Sequence, residues 1–280
     1  MAKEKINLGS IIDFILRPPL PYVVKSTHGQ WGIDPRIISF SDPKSYICEQ
    51  YRKIIANLEF KATEKNLRTF LLTSAARFEG KSISSANLAT LFSYYENKKV
   101  LLIDCDLRKP SQHRLFNLPR KPGVTNVFLD HTKADQVIHC IKDFPGLCVI
   151  TSGKEVASPI DLFLSEAFKN FITEMRTRFD YIFIDTPPLL AVTDACILSK
   201  IIDGVIIAVS AEVTPEFALK EILALLGNVN ANIVGMLLTH TRQTTRYYYN
   251  YKYYKYYKDY ASDSSEDRDV NLQNQKEFLK

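Results

Sequence analysis

Six short runs of this chain are apolar almost from end to end: Thr69–Thr73, Val100–Ile103, Leu147–Ile150, Tyr181–Ile184, Gly204–Val209 and Ile233–Leu238. A strand with one wet face alternates apolar and polar residues, whereas a strand covered on both faces reads as a continuous run of Val, Ile and Leu. Between the runs lie stretches with helical spacing, among them Ser82–Tyr95, Asp161–Phe179 and Pro215–Leu226. Buried strands alternating with helices predict an α/β fold, a doubly wound, mostly parallel sheet with helices on both faces. At 280 residues the chain is long enough for one such domain with tails, and 46% apolar residues suffice to fill its core.

The same reading divides the chain into an N-terminal arm and linker over 1–40, a sheet domain over 41–241 and a tail over 242–280. Residues Lys25–Phe40 show no sustained period and read as linker. Asp42-Pro43 reads as a helix cap with Pro in the first turn, opening a helix to about Phe60. Ile11–Leu16 is a short apolar stretch that reads as a packed or loose arm. No run reaches the 18 apolar residues of a spanning helix, and a signal peptide is not indicated. The five cysteines are odd in number and never spaced as CxxC, which argues against a disulfide framework and for a reducing compartment.

Chemistry concentrates where the runs end. Leu71 to Thr73 is followed by Ser74-Ala75-Ala76-Arg77-Phe78-Glu79-Gly80-Lys81-Ser82, a loop between a strand and a helix. Backbone N–H groups of 76–82 and the helix N-terminus converge there on anionic oxygens. The residues Ala75, Ala76, Arg77, Phe78, Glu79, Gly80, Lys81 and Ser82 are the expected phosphate-binding set, with Ala75 standing where the strict pattern has Gly. A second run ends in Asp104-Cys105-Asp106, whose i, i+2 spacing sends both acids to one side of an extended chain. A third ends in Asp185-Thr186-Pro187-Pro188. Three carboxylates at the ends of parallel strands beside a phosphate loop lie where open α/β sheets bind ligands, and Mg²⁺ would offset their repulsion.

These segments together resemble the cytoplasmic kinase domain of bacterial tyrosine kinases of the polysaccharide co-polymerase type. Thr73–Ser82 matches Walker A, Leu102–Pro110 the Asp-x-Asp-x-Arg motif, and Ile184–Pro188 Walker B. Ser158–Leu162 and Val192–Ala195 add support, and the match spans about 41–260. The departures are Arg77-Phe78 for the usual Pro-Gly, Ile55 and Leu58 for the second Arg and the final Ile of a helix motif that keeps Glu49, Arg52 and Asn57, and Thr239-His240 where the family often has Asn. The resemblance implies a P-loop tyrosine autokinase using ATP and Mg²⁺, regulating capsular or extracellular polysaccharide biosynthesis and export. It also implies homo-oligomers, a cognate tyrosine phosphatase, and a cytoplasmic place at the inner membrane face through a separate membrane-embedded activator.

Phosphoryl transfer needs alignment and neutralisation of charge more than covalent work. Lys81 is expected to reach the β/γ-phosphates, with Ser82, Asp106 and Asp185 as metal ligands and Asp104 as acceptor of the tyrosyl proton. Arg108 has two readings, steadying phosphate or pairing with a neighbouring acid, and His113 reads as a packing residue. The phenols themselves are concentrated in the tail: Tyr247, Tyr248, Tyr249, Tyr251, Tyr253, Tyr254, Tyr256, Tyr257 and Tyr260, nine of the fifteen in the chain. Tyr on every face leaves no buried stripe, so the segment reads as a solvated, disordered tail. Five cations against Asp259 leave 242–260 with net charge +4, drawn towards an acidic, nucleotide-loaded cleft. A net charge of +5 for the whole chain offers no basic groove for nucleic acid. The competing readings are a plain P-loop ATPase of the partitioning type or a nucleotide-dependent scaffold.

Overall fold

The computed structural model describes residues 32–95 and 98–241, so the Ile11–Leu16 arm and every tail tyrosine lie outside the described residues. Seven strands form one sheet: β1 (Thr69–Ser74), β2 (Val100–Asp104), β3 (Ile138–Cys140), β4 (Leu147–Ile150), β5 (Tyr181–Asp185), β6 (Gly204–Ser210) and β7 (Ile233–Thr239). Their order is β3-β4-β2-β5-β1-β6-β7, parallel throughout except for the β3–β4 pair. β1, β2, β4, β5 and β6 are buried at every residue, as continuous apolar runs require.

Each face carries its own core. Helices α1 (Ile38–Ser41), α2 (Tyr46–Lys65) and α3 (Lys81–Tyr95) cover one face, packing Ile54, Leu58, Leu88 and Phe92 against Phe70, Leu102 and Phe183. Two short helices follow β2, α4 (Gln112–Leu115) and α5 (Val124–Leu129). The opposite face is covered by α6 (Pro159–Leu164), α7 (Glu166–Arg178), α8 (Asp194–Leu198) and α9 (Glu216–Asn228), which pack Phe163, Phe168, Met175 and Ile222 against Leu71, Ile103 and Ile184. No helix among the described residues is long and apolar enough to cross a membrane.

Four local expectations are corrected. The helix expected from Asp42 starts at Tyr46, because Ser45 caps it by accepting from the Cys48 N–H at 3.1 Å, while the Asp42 N–H still serves α1 through Ile38 O. The helix expected over Asp161–Phe179 is two, because the Ser165 hydroxyl bonds Leu162 O and accepts from Phe168 N. The last part of the expected linker belongs to the core: Ile33 and Ile37 are buried, and Asp34 N donates to Leu115 O at 2.8 Å. Finally, Cys140 and Cys148 form a disulfide, since the short antiparallel β3, with no apolar run of its own, sets them directly opposite.

Asp203 organises the amino ends of the strands. Its Oδ2 accepts from the N–H groups of Arg68 and Thr69 at 2.8 and 2.9 Å, and its Oδ1 from Arg176 Nη2 at 2.6 Å. Burial alone would raise its carboxyl, but these donors outweigh it and hold the pKa below the ordinary aspartate value. Asp203→Ala is expected to lower stability by about 2–4 kcal/mol at neutral pH, measured by denaturant unfolding. For a depressed acid the contribution exists above the unfolded pKa, so the native chain should lose it as pH falls below about 4.

Candidate active site

In an open α/β sheet, ligands bind beyond the carboxyl ends of the strands. The loops after β1, β2, β5 and β7 meet there around a cavity of about 720 Å³, lined by residues 76–83, Asp106, Lys109, Pro187, Pro188 and His240 among others. That volume is in the range of small-ligand sites.

The β1–α3 loop is braced both from within and by the segments after β6 and at the end of β7. Ala76 N–H donates to Glu79 Oε2 at 3.0 Å, the Thr214 hydroxyl donates to Glu79 Oε1, and Thr239 Oγ1 donates to Glu79 O at 2.8 Å. Glu79 is therefore buried as a brace, and Ala75 is buried in the core under the loop. Gly80 has φ +80°, and an added Cβ would lie 3.2 Å from Thr239 Cγ2, so glycine answers both conformation and space. Phe78 adopts φ +66° with 90% of its surface exposed. A bulky residue in the left-handed region is strained by about 1–2 kcal/mol, and here no packing compensates. Phe78→Gly should thus raise stability by about 0.5–1 kcal/mol after its greater unfolded-state entropy is deducted, seen as a higher thermal midpoint.

Lys81 opens α3 and is buried at the cavity floor. Its Nζ lies 2.7 Å from Asp185 Oδ1, 2.9 Å from Ser82 Oγ and 3.5 Å from Asp106 Oδ2. Burial pulls its ammonium down, but Asp185, Asp106 and Asp104 outweigh that and hold its pKa above the ordinary lysine value. Register explains the meeting: Leu72 pairs with Asp185 across β1 and β5, and Asp104 pairs with Asp185 across β2 and β5. Asp106 faces the cavity, and its Oδ1 accepts from Lys109 N at 3.0 Å.

Asp104 sits behind the floor, without solvent exposure and without a share in the cavity wall. Its Oδ2 accepts from the N–H groups of Ser111 and Gln112, each at 2.9 Å, and its Oδ1 from Asp106 N at 3.3 Å. Burial and the neighbouring Asp185 charge push its carboxyl up to about 7, against the pull of those N–H groups and of Lys81. Of the two readings of Arg108, the structure shows the ion pair: its guanidinium contacts buried Asp194 at 3.1 and 3.3 Å while lining the cavity. His113 lies away from the cavity wall.

One participant escaped the sequence reading. Gln112 is fully buried, and its Nε2 lies 2.8 Å from Asp185 Oδ2. Position 112 lies eight residues past Asp104, beyond any strand-end spacing, and nothing in the sequence singles it out. The expectation of an acidic cleft also changes. Arg36, Arg77, Arg108, Lys109 and Arg114 stand on the cavity walls against Glu79 and Asp106, so the cavity is cationic, while Asp104 and Asp185 are fully buried behind its wall. In the motif helix α2, Glu49 pairs with Arg52, but Ile55 is buried in the core and supplies no second surface cation.

Among the described residues no three His, Cys, Asp or Glu side chains are grouped to hold a metal by themselves. The donor set suits an ion completed by other oxygens: Ser82 Oγ, Asp106 and Asp185 converge, and three acids exceed the single Lys81 charge. Mg²⁺ commonly takes one or two carboxylates and finishes its shell with waters and phosphate.

The chain is similar to several known proteins. A family model described as AAA domain matches residues 79–236. Tyrosine-protein kinase YwqD of Bacillus subtilis is 34% identical over 215 residues, covering 77% of this chain and 90% of the relative. The putative tyrosine-protein kinase CapB of Staphylococcus aureus is 33% identical, covering 75% and 92%. Among solved structures, the chimerical protein CapA2B2 superposes with a TM-score of 0.71 at 31% identity, covering 77% of this chain and 98% of that one.

Proposed function

Because the chain belongs to the bacterial tyrosine-protein kinases, we propose that its cavity binds ATP with Mg²⁺ and directs the γ-phosphoryl group to tyrosines of the 247–260 cluster. The observation that carries this reading is the Lys81 ammonium, buried at the cavity floor between Ser82 Oγ, Asp106 and Asp185.

Each residue then has a task. The first N–H groups of α3 have no partner within the helix and point at the phosphates, with the positive end of the helix behind them. Lys81 turns from Asp185 to the β/γ-phosphate oxygens. Ser82, Asp106 and Asp185 hold Mg²⁺, which when bound neutralises phosphate charge and fixes its oxygens. A phenol has an ordinary pKa near 10 and attacks well only as its proton leaves. Asp104, raised to about 7 and joined to the cavity-lining Asp106 through the Asp106 N–H, is the proton acceptor on this reading. Arg108, steadied by Asp194, stands beside the incoming group. In the tail, each phosphate adds about −1.5 to −2 charges, so about three reverse the sign of 242–260. A cationic tail is drawn to the cationic rim only when nucleotide is bound, and the phosphorylated tail changes assembly.

The chain acts, on this reading, in capsular or extracellular polysaccharide biosynthesis and export. It works as a homo-oligomer at the inner face of the cell membrane, through a separate membrane-embedded co-polymerase and opposed by a tyrosine phosphatase. Incubation of the full chain with labelled ATP and Mg²⁺, followed by mass spectrometry, should place phosphate on residues 247–260. ATP hydrolysis with no label on the protein would favour a plain ATPase instead.

A further inference from the structure

We propose that Gln112 is the positioning residue for Asp185, holding that carboxylate ready for the metal ion while Lys81 is engaged by phosphate; this rests on the nucleotide reading above. Asp185 has two side-chain donors, one for each oxygen: Lys81 Nζ on Oδ1 at 2.7 Å and Gln112 Nε2 on Oδ2 at 2.8 Å. A lysine that serves the phosphates must leave the first oxygen. Gln112 then remains as the donor that keeps the carboxylate from turning.

The amide cannot turn over in place. Its nitrogen also faces Ser82 O at 3.1 Å and Ser85 Oγ at 3.3 Å. Carboxylate and carbonyl only accept, so an oxygen facing them would have no hydrogen to receive, and the NH₂ group must stay on that side. The residue is also tethered at its backbone, since the Gln112 and Ser111 N–H groups both donate to Asp104 Oδ2 at 2.9 Å. Gln112 thereby ties the segments bearing Asp104, Asp185 and Ser82 into one frame. Its Oε1 has no hydrogen-bond partner among the described residues. That unpaired oxygen disfavours folding, while the NH₂ end of the same amide offsets the cost by serving a buried carboxylate.

Gln112→Met keeps the volume and removes the donor. ADP affinity is measured by calorimetry with Mg²⁺ and with EDTA, alongside the thermal midpoint without nucleotide. The native chain should bind ADP more tightly with Mg²⁺. The variant should keep its EDTA affinity within about 2-fold and lose about 10-fold of the Mg²⁺-dependent tightening, as removal of a residue behind a metal ligand does. Ser85→Ala, which removes only the outer partner of the amide, should keep the native Mg²⁺ response. Should Gln112→Met not fold, Gln112→Asn retains a polar side chain too short for Asp185 and should show the same loss. An unchanged Mg²⁺ increment in a folded variant, or a lowered midpoint with an unchanged increment, overturns the proposal. A native chain that binds no ADP under either condition overturns the nucleotide reading itself, and this inference with it.

Discussion

Lys81→Met should abolish tyrosine phosphorylation of the chain, by at least about 100-fold, while leaving a folded but less stable protein. The activity loss follows from removing the one buried lysine or arginine among the described residues, which on the proposed reading serves the phosphates, where a single charge-stabilising donor is worth about 2–3 orders of magnitude. The stability loss follows from what remains: Asp185 loses its 2.7 Å partner, and Asp104, Asp106 and Asp185 face one another without a counter-charge. Breaking a buried pair by deleting one member typically costs about 3–5 kcal/mol. The sign with pH is distinctive. Asp104, no longer pulled down by Lys81, binds its proton more tightly in the folded state, so the deficit should grow as pH rises through about 7 and shrink as it falls. Phosphotyrosine blotting, and urea unfolding on either side of that pH, check both halves. Native-level phosphorylation in the variant would remove Lys81 from the mechanism.

Asp104→Asn should separate stability from function in the opposite direction. The native carboxyl stands at about 7, raised by burial and by Asp185. A carboxyl raised above its unfolded value stabilises the fold only while protonated, so the native chain should lose stability as pH climbs from about 4 to about 7. An amide is neutral at every pH, and its oxygen can still accept from the Ser111 and Gln112 N–H groups. The variant should therefore be more stable than the native chain above pH 7, by about 1–3 kcal/mol, with a flatter pH profile between 4 and 7. Phosphorylation should nonetheless fall by about 100-fold or more, since an amide accepts no proton. If the variant phosphorylates itself normally, the proton goes elsewhere, and Asp106, the acid on the cavity wall, is the first candidate.

The strands were legible because their signal is local. A run of Val, Ile, Leu and Phe fits a pleated surface covered on both sides regardless of what covers it, and every such run proved to be a strand within a residue of its expected ends. The acids that terminate those runs, with Lys81 and Ser82, were found for the same reason: a parallel sheet brings all carboxyl ends of its strands to one rim. Where the reading slipped, a side chain had chosen a partner outside the local pattern. Ser165 divided a helix by capping its second half, and Ile33 and Ile37 entered the core from a stretch with no period of its own.

Composition and spacing along the chain thus sufficed for the kind of sheet, the rim where the cavity lies and the acids and lysine that converge beside it. They could not say that Arg108 would spend its guanidinium on Asp194, that Cys140 would face Cys148, or that Gln112 would grip Asp185. Those partners lie 86, 8 and 73 positions apart. A periodic pattern reports only which face of its own strand or helix a residue occupies. Which distant side chain meets it there depends on strand order, register and the path of loops, and these are settled only when all the layers pack at once.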